Sequence, residues 1–156
     1  MPRFGITRYN TYRFNSDETV TPTPVLFEEG LVSYLSTFAI TLLPLKVPED
    51  YSLPVVTYTP ISVEHETNLD GVAGIATITI AFDSWSNVYS DTAEDSELLR
   101  LALDGYRGSM GEYTVLDCQL DDEHSEYHAN VDDSDLGTHQ RTQIYEIVYI
   151  ETIPEY

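Results

Sequence analysis

Residues 74–85, GIATITIAFDSW, set the strongest constraint on the fold. Ala76, Ile78, Ile80 and Phe82 alternate with Thr77, Thr79, Ala81 and Asp83. A period of two puts the first set on one face of a strand and the second on the other. Such a strand belongs to a sheet with an apolar layer over one face. Two segments have the helical period to supply that layer. Phe27, Leu31, Tyr34, Leu35 and Phe38 fall at i, i+4, i+7, i+8 and i+11, one apolar stripe. Thr23 is expected at its N-cap and Pro24 at the first helical position. Glu28 and Glu29 then sit near the positive end of the helix dipole. A second helix is expected from about Asp91 to Asp104, with Asp91 and Glu94 at capping-box spacing. Its buried face would be Leu99, Ala102, Leu103 and Tyr106, and Gly105 would stop it.

The remaining apolar runs read as strands. FAITLLPLKV, residues 38–47, is broken by Pro44. PVVTYTPISVEHE, residues 54–66, is β-branched and aromatic, and Pro60 argues for an edge or a bulge. NLDG, residues 68–71, is a turn into the alternating strand. EYTVLDCQL and TQIYEIVYIE supply two more. The order is helix, three strands, helix, two strands. It predicts one α+β domain, a mainly antiparallel or mixed sheet of about five strands with two helices packed on one face. A length of 156 residues suits a single domain with a real core.

Charge narrows the function classes. There are 27 acids against 7 bases, for a net charge of -20. A basic nucleic-acid-binding face is therefore not expected on the body, and an anionic membrane surface would repel it. Lys46 is the only lysine. Many acids, many threonines and almost no lysine fit a host that works in high salt, where screening relieves self-repulsion. An acidic protein of ordinary salt is the alternative. Cys118 is the only cysteine, so no disulfide closes within the chain. No secretion signal is visible, since Arg3, Arg8 and Arg13 interrupt the start. The apolar stretch Phe38 to Val47 falls far short of the ~18 residues of a membrane span, so a soluble protein is expected.

Residues 1–22 differ from the rest and read as a basic, aromatic arm with a linker, ahead of a domain at 23–156. RFGITRYNTYRF contains Arg3, Arg8, Tyr9, Tyr12 and Arg13 and no acid. It could clasp the acidic body of a neighbouring copy, or be a first strand or a loosely attached terminus. Arg107, at the exit of the second helix, is a candidate second contact or an ordinary surface arginine.

LDDEHSEYHANVDDSD, residues 120–135, crowds Asp121, Asp122, Glu123, His124, Glu126, His128, Asp132, Asp133 and Asp135 together, with His139 just beyond. These are the side chains a metal prefers. The spacing does not build a site, however. A structural zinc site combines cysteine with histidine, and Cys118 is alone. An EF-hand loop requires a central glycine that is missing here. His124 and His128 stand four apart, which aligns ligands only on a helix. The stretch reads as a charged hairpin loop with neither metal nor cofactor. The three glycines of GYRGSMG follow a helix and lead into a strand, the reverse of a phosphate-binding loop. Paired carboxylates carry little information in so acidic a chain, and no serine or cysteine stands out as a nucleophile. No enzyme is expected. A small metal-dependent hydrolase using the loop at 120–139 is the alternative from another class.

The middle of the chain carries a resemblance. LPVVTYTPISVEHETNLDGVAGIATITIAFDSW has a strand with an IS step, an LDG turn, and a long strand ending in an acid and a tryptophan. SNVYSDTAEDSELLRLALDGYRG follows with a tyrosine-led helix and an LDGYRG exit. An acidic DDE…Y turn and a final strand, THQRTQIYEIVYIE, complete the order. The ordered set resembles the tail-completion, or tail-terminator, proteins of long-tailed phages and related archaeal viruses, over about residues 26–151. Residues 1–24 and the stretch His128 to His139 exceed the family's pattern, so no role is carried over to them.

The resemblance implies a virion structural protein, assembled in the host cytoplasm. It would be a hexameric ring at the head-proximal end of the tail, ending the tube and meeting the neck. Its partners would be further copies of itself, the tail tube protein and a neck or head-completion protein. Genome DNA would pass through the lumen without specific binding. The acidic loop (Asp121, Asp122, Glu123, Glu126, Asp132, Asp133, Asp135) would face the lumen or a partner. A head-completion or stopper protein is the closest alternative.

Overall fold

The computed structural model describes residues 26–130 and 137–153. Its elements, in chain order, are helix α1 (Phe27–Ser36), β1 (Leu42–Pro44), β2 (Val55–Asn68), β3 (Gly71–Ser86), helix α2 (Tyr89–Leu103), β4 (Gly108–Met110), β5 (Tyr113–His128) and β6 (Thr138–Ile150). The six strands form one mixed sheet in the order β1-β2-β3-β6-β5-β4. Only β1 and β2 run parallel; every other pair is antiparallel.

The alternation at 74–85 is β3, in the middle of the sheet. Ala76, Ile78, Ile80 and Phe82 are buried. Cross-strand register brings Tyr145, Ile147 and Tyr149 of β6 and Tyr58 of β2 onto the same face. Both helices close over that one face: Phe27, Leu31 and Leu35 from α1 and Leu99, Ala102 and Leu103 from α2 join a single core with it. Burial of these side chains removes roughly 1.5–3 kcal/mol of apolar exposure each, and this holds the helices down. Phe27 stacks on Tyr149 with ring centroids 4.2 Å apart, and Tyr34 donates a hydrogen bond to the Ala102 carbonyl at 2.8 Å, locking α1 to α2. The opposite face, with Ile75, Thr77, Thr79, Ile144, Val148 and Ile150, has no helix over it among the described residues.

Glycine is required where α1 meets the β4–β5 turn. A side chain at Gly30 would run into the backbone of Met110, and one at Gly111 (φ +61°) would lie 2.7 Å from the Gly30 Cα. Two backbones touch there directly.

Several expectations are corrected. Thr23 and Pro24 lie outside the described residues; the described helix starts at Phe27, with extended Leu26 at the N-cap and no side-chain cap. Helix α2 starts at Tyr89, not Asp91, because Ser86 organises its entry. The Ser86 hydroxyl accepts from the Val88 N–H at 3.0 Å and donates to Asp91 at 2.9 Å, so no Asp91–Glu94 capping box forms. A sixth strand, β4, is added where only a turn was expected. The run at 38–47 contributes only the three residues of β1.

The largest correction concerns the acidic stretch. Asp121, Asp122, Glu123 and Glu126 lie on strand β5, not in a loop. The β5–β6 ladder continues without a break from Asp122↔Ile144 to His128↔Thr138. Ser125, Asn130 and the flanking strand-like segments argue for a loop, and pairing with β6 overrides them. Asp132, Asp133 and Asp135 lie outside the described residues. Pro60 does mark a bulge, between Pro60 and Ser62, where the missing N–H breaks the ladder. The NLDG turn forms as expected, with the Asn68 side chain accepting from the Asp70 N–H at 2.9 Å.

Candidate functional site

The acidic half of β5 divides its side chains by strand parity. Asp122, His124, Glu126 and His128 pair across to Ile144, Thr142, Gln140 and Thr138 on the helix-free face. Glu123, Ser125 and Tyr127 point the other way. Glu123 is not a free surface acid: its carboxylate accepts from Arg141 at 2.8 Å and from the buried Gln143 at 3.0 Å. Arg141 also donates to the Tyr89 hydroxyl at 3.3 Å, tying the start of α2 to β6. Hydrogen bonding to Glu123 raises the pKa of the Arg141 guanidinium further.

On the helix-free face a polar chain runs inward from the histidine. His128 Nε2 lies 2.7 Å from the Gln140 side-chain Oε1, the Gln140 side-chain amide nitrogen donates to Asp83 at 2.9 Å, and the Thr142 hydroxyl donates to the same carboxylate. Trp85 stacks near His128, with centroids 5.8 Å apart, and donates to Thr57 at 3.0 Å. These contacts satisfy one another, which is a structural arrangement. His124 and His128 are four residues apart on a strand, roughly 13 Å, too far to share an ion. Among the described residues no group of three His, Cys, Asp or Glu side chains gathers to hold a metal. Cys118 is fully buried, and burial pushes its thiol up to about 12, so it is not an activated nucleophile.

What the sequence did not disclose is the state of the sheet edges. The short β1 covers β2 only at Val56–Tyr58, so no described strand pairs with the outer side of β2 from Ile61 to Asn68. The short β4 covers β5 only at Tyr113–Val115. The Asp104 side chain and the Gly105 N–H reach Leu120 and Cys118, and beyond them the outer side of Asp121–His128 has no described strand partner. Among the described residues, two edges without a strand partner therefore lie on opposite sides of one sheet. Unpaired N–H and C=O rows are templates for another chain. Acids on the β5 edge discourage indiscriminate pairing.

Two further surfaces lie at opposite ends of the strands. At one end the β2–β3 hairpin projects beyond β6, whose last pairing is Ile150 with Ile75. It exposes Ile61, Val63, Val72 and, at its tip, Leu69 with 106% relative exposure. At the other end, Leu45, Val47, Tyr51, Leu53 and Trp85, together with Lys46, Glu49, His128 and Thr138, line an open cavity of about 510 Å³. Arg107 is exposed, with only a loose 3.9 Å approach to Asp117, and so is open to a partner. Arg3, Arg8, Tyr9, Tyr12 and Arg13 lie outside the described residues. No described helix is long and apolar enough to cross a membrane.

No family model matches this chain, and no curated protein matches it. Its fold is similar to that of a chain in a solved structure described as the virion of a native gene transfer agent particle. The likeness has a TM-score of 0.56 and 9% identity, and it covers 80% of this chain and 91% of that one. At that identity the likeness establishes a shared fold.

Proposed function

We propose that this chain is a virion structural protein of the head–tail junction, forming a ring that ends the tail tube and joins it to the neck, without catalysis. The observation that carries the reading is the pair of sheet edges, on opposite sides of a single small domain, that no described strand covers. A domain with two different open surfaces makes heterologous contacts, and these close into a ring when the rotation between copies divides a full turn. Strand addition by a neighbouring chain satisfies the backbone rows that the edges leave open. A fold shared with a chain of a virion particle is in keeping with this role. The count of six comes from the resemblance to tail terminators. A net charge of -20 suits a channel wall that must let DNA slide past without gripping its phosphates. Asp122 and Glu126, on the helix-free face, are the described acids best placed for such a wall, and Asp121 stands at a bulge beside them. The basic segment at residues 1–22, with Arg3, Arg8, Tyr9, Tyr12 and Arg13, clasps the acidic surface of a neighbour in this reading, and Arg107 adds a second contact. Deleting residues 1–22 is then expected to weaken assembly without unfolding the domain.

Electron microscopy of lysates from a virus lacking this gene tests the role. Abnormally long tails beside full, tailless heads are the expected result. Free tails of normal length would assign the protein to head completion. Normal infectious particles would overturn the reading altogether.

A further inference from the structure

The hairpin tip and the cavity at the far end of the strands are complementary. Leu69 is the most exposed large apolar side chain among the described residues, and Ile61, Val63 and Val72 extend the apolar surface down the same hairpin. Leu69, fully exposed at the tip of a projecting hairpin, is free to enter a neighbour's cavity as a central apolar anchor. The cavity is lined by Leu45, Val47, Tyr51, Leu53 and Trp85. Lys46, the chain's only lysine, is also among the lining residues, as is Glu49, and Asp70 directly follows Leu69 on the hairpin.

Within one chain the two cannot meet. Trp85 pairs with Val55 at one end of β2, whereas Asn68 pairs with Gly71 at the other. At ~3.3 Å per residue the strand separates them by roughly 40 Å. We infer that Leu69 of one copy seats in the cavity of the next copy, with Asp70 against Lys46. This rests on the ring reading and adds the contact that orders the copies head to tail. The two surfaces are different and lie at opposite ends of the molecule, so the contact is heterologous, as a closed ring requires. Seating the leucine removes its apolar surface from water, while the exposed ion pair contributes mainly orientation.

The test uses the full chain, with oligomeric state followed by sedimentation velocity across a concentration series. Leu69→Ser is expected to weaken self-association about tenfold or more while leaving the melting temperature unchanged, because Leu69 is fully exposed on the described domain. Asp70→Lys and Lys46→Asp should each weaken association, and the double charge swap should restore it. A Leu69→Cys, Val47→Cys chain should form disulfide-linked ladders on mild oxidation, since Cys118 is buried and does not compete. Association that persists unchanged in Leu69→Ser, with no ladder, would overturn this contact and leave the ring reading standing. A wild-type chain that stays monomeric at every concentration would overturn both.

Discussion

Replacing Gly30 by alanine should destabilise the protein, although the same change in an open helix stabilises it. In the middle of an exposed helix alanine gains about 1 kcal/mol over glycine. At Gly30 the new Cβ would lie 2.9 Å from the Met110 carbonyl carbon, closer still to its oxygen, and 3.3 Å from the Gly111 Cα. All three are backbone atoms of the β4–β5 turn, so no side chain can swing away. Either α1 lifts off the sheet or the turn shifts, and both disturb the packing of Phe27, Leu31 and Leu35. Overpacking costs about 1–3 kcal/mol, and a clash with backbone on both sides belongs at the upper end. Subtracting the propensity gain leaves a net loss of about 2 kcal/mol. In a domain of this size that lowers the melting temperature by about 4–8 °C. Thermal unfolding followed by circular dichroism measures it, with Ser33→Ala on the exposed side of the same helix as the control. That control should be neutral or slightly stabilising. A melting temperature for Gly30→Ala equal to or above wild type would show that α1 does not approach the turn this closely.

Three other outcomes are expected. Burial, and then Asp91 and Glu94, raise the Asp95 carboxyl above its ordinary value of 3.8, so the folded state carries a penalty once that group ionises. The penalty is absent below about pH 3.8 and develops as pH rises, so Asp95→Asn should raise the melting temperature at pH 7 by an increment that shrinks toward pH 4. An increment independent of pH would refute this. Arg141→Ala should cost about 1–2 kcal/mol in chemical denaturation, because it strips a half-buried carboxylate of a charged partner, while Arg107→Ala should cost under about 0.5. Equal losses would remove the distinction. With a net charge of -20, stability should climb between 0.1 and 1 M KCl as the screening length falls from about 10 to about 3 Å; a flat melting temperature would show that self-repulsion does not limit this fold.

The candidate site was legible only in part. The acidic segment is visible as composition, but its extended conformation on β5 is not. Asp122, Glu123 and Glu126 have no strand propensity of their own and are extended because Ile144, Gln143 and Gln140 of β6 pair with them. Glu123 illustrates the same limit: nothing local separates it from Glu126, yet one is bound by Arg141 and Gln143 and the other is exposed. The entry to α2 was shifted by Ser86, a residue the capping pattern does not include. Local motifs describe bonds to near neighbours, and these residues are governed by distant ones.

What the sequence determined by itself was periodicity. The alternation in β3, the stripe of α1, the buried face of α2, Pro60 at a bulge and Gly105 as a helix stop all follow from spacing and backbone geometry within a dozen residues. Those elements sufficed for an α+β domain with both helices on one face. Only the tertiary structure decided which strands are neighbours and where pairing ends. No described strand covers the outer parts of β2 and β5 because β1 and β4 are short, and the distance from Leu69 to the cavity beside Trp85 exists because β2 is long. An unpaired edge is a property of what lies beside a strand. No residue within that strand encodes it, so it becomes visible only when the whole sheet is assembled.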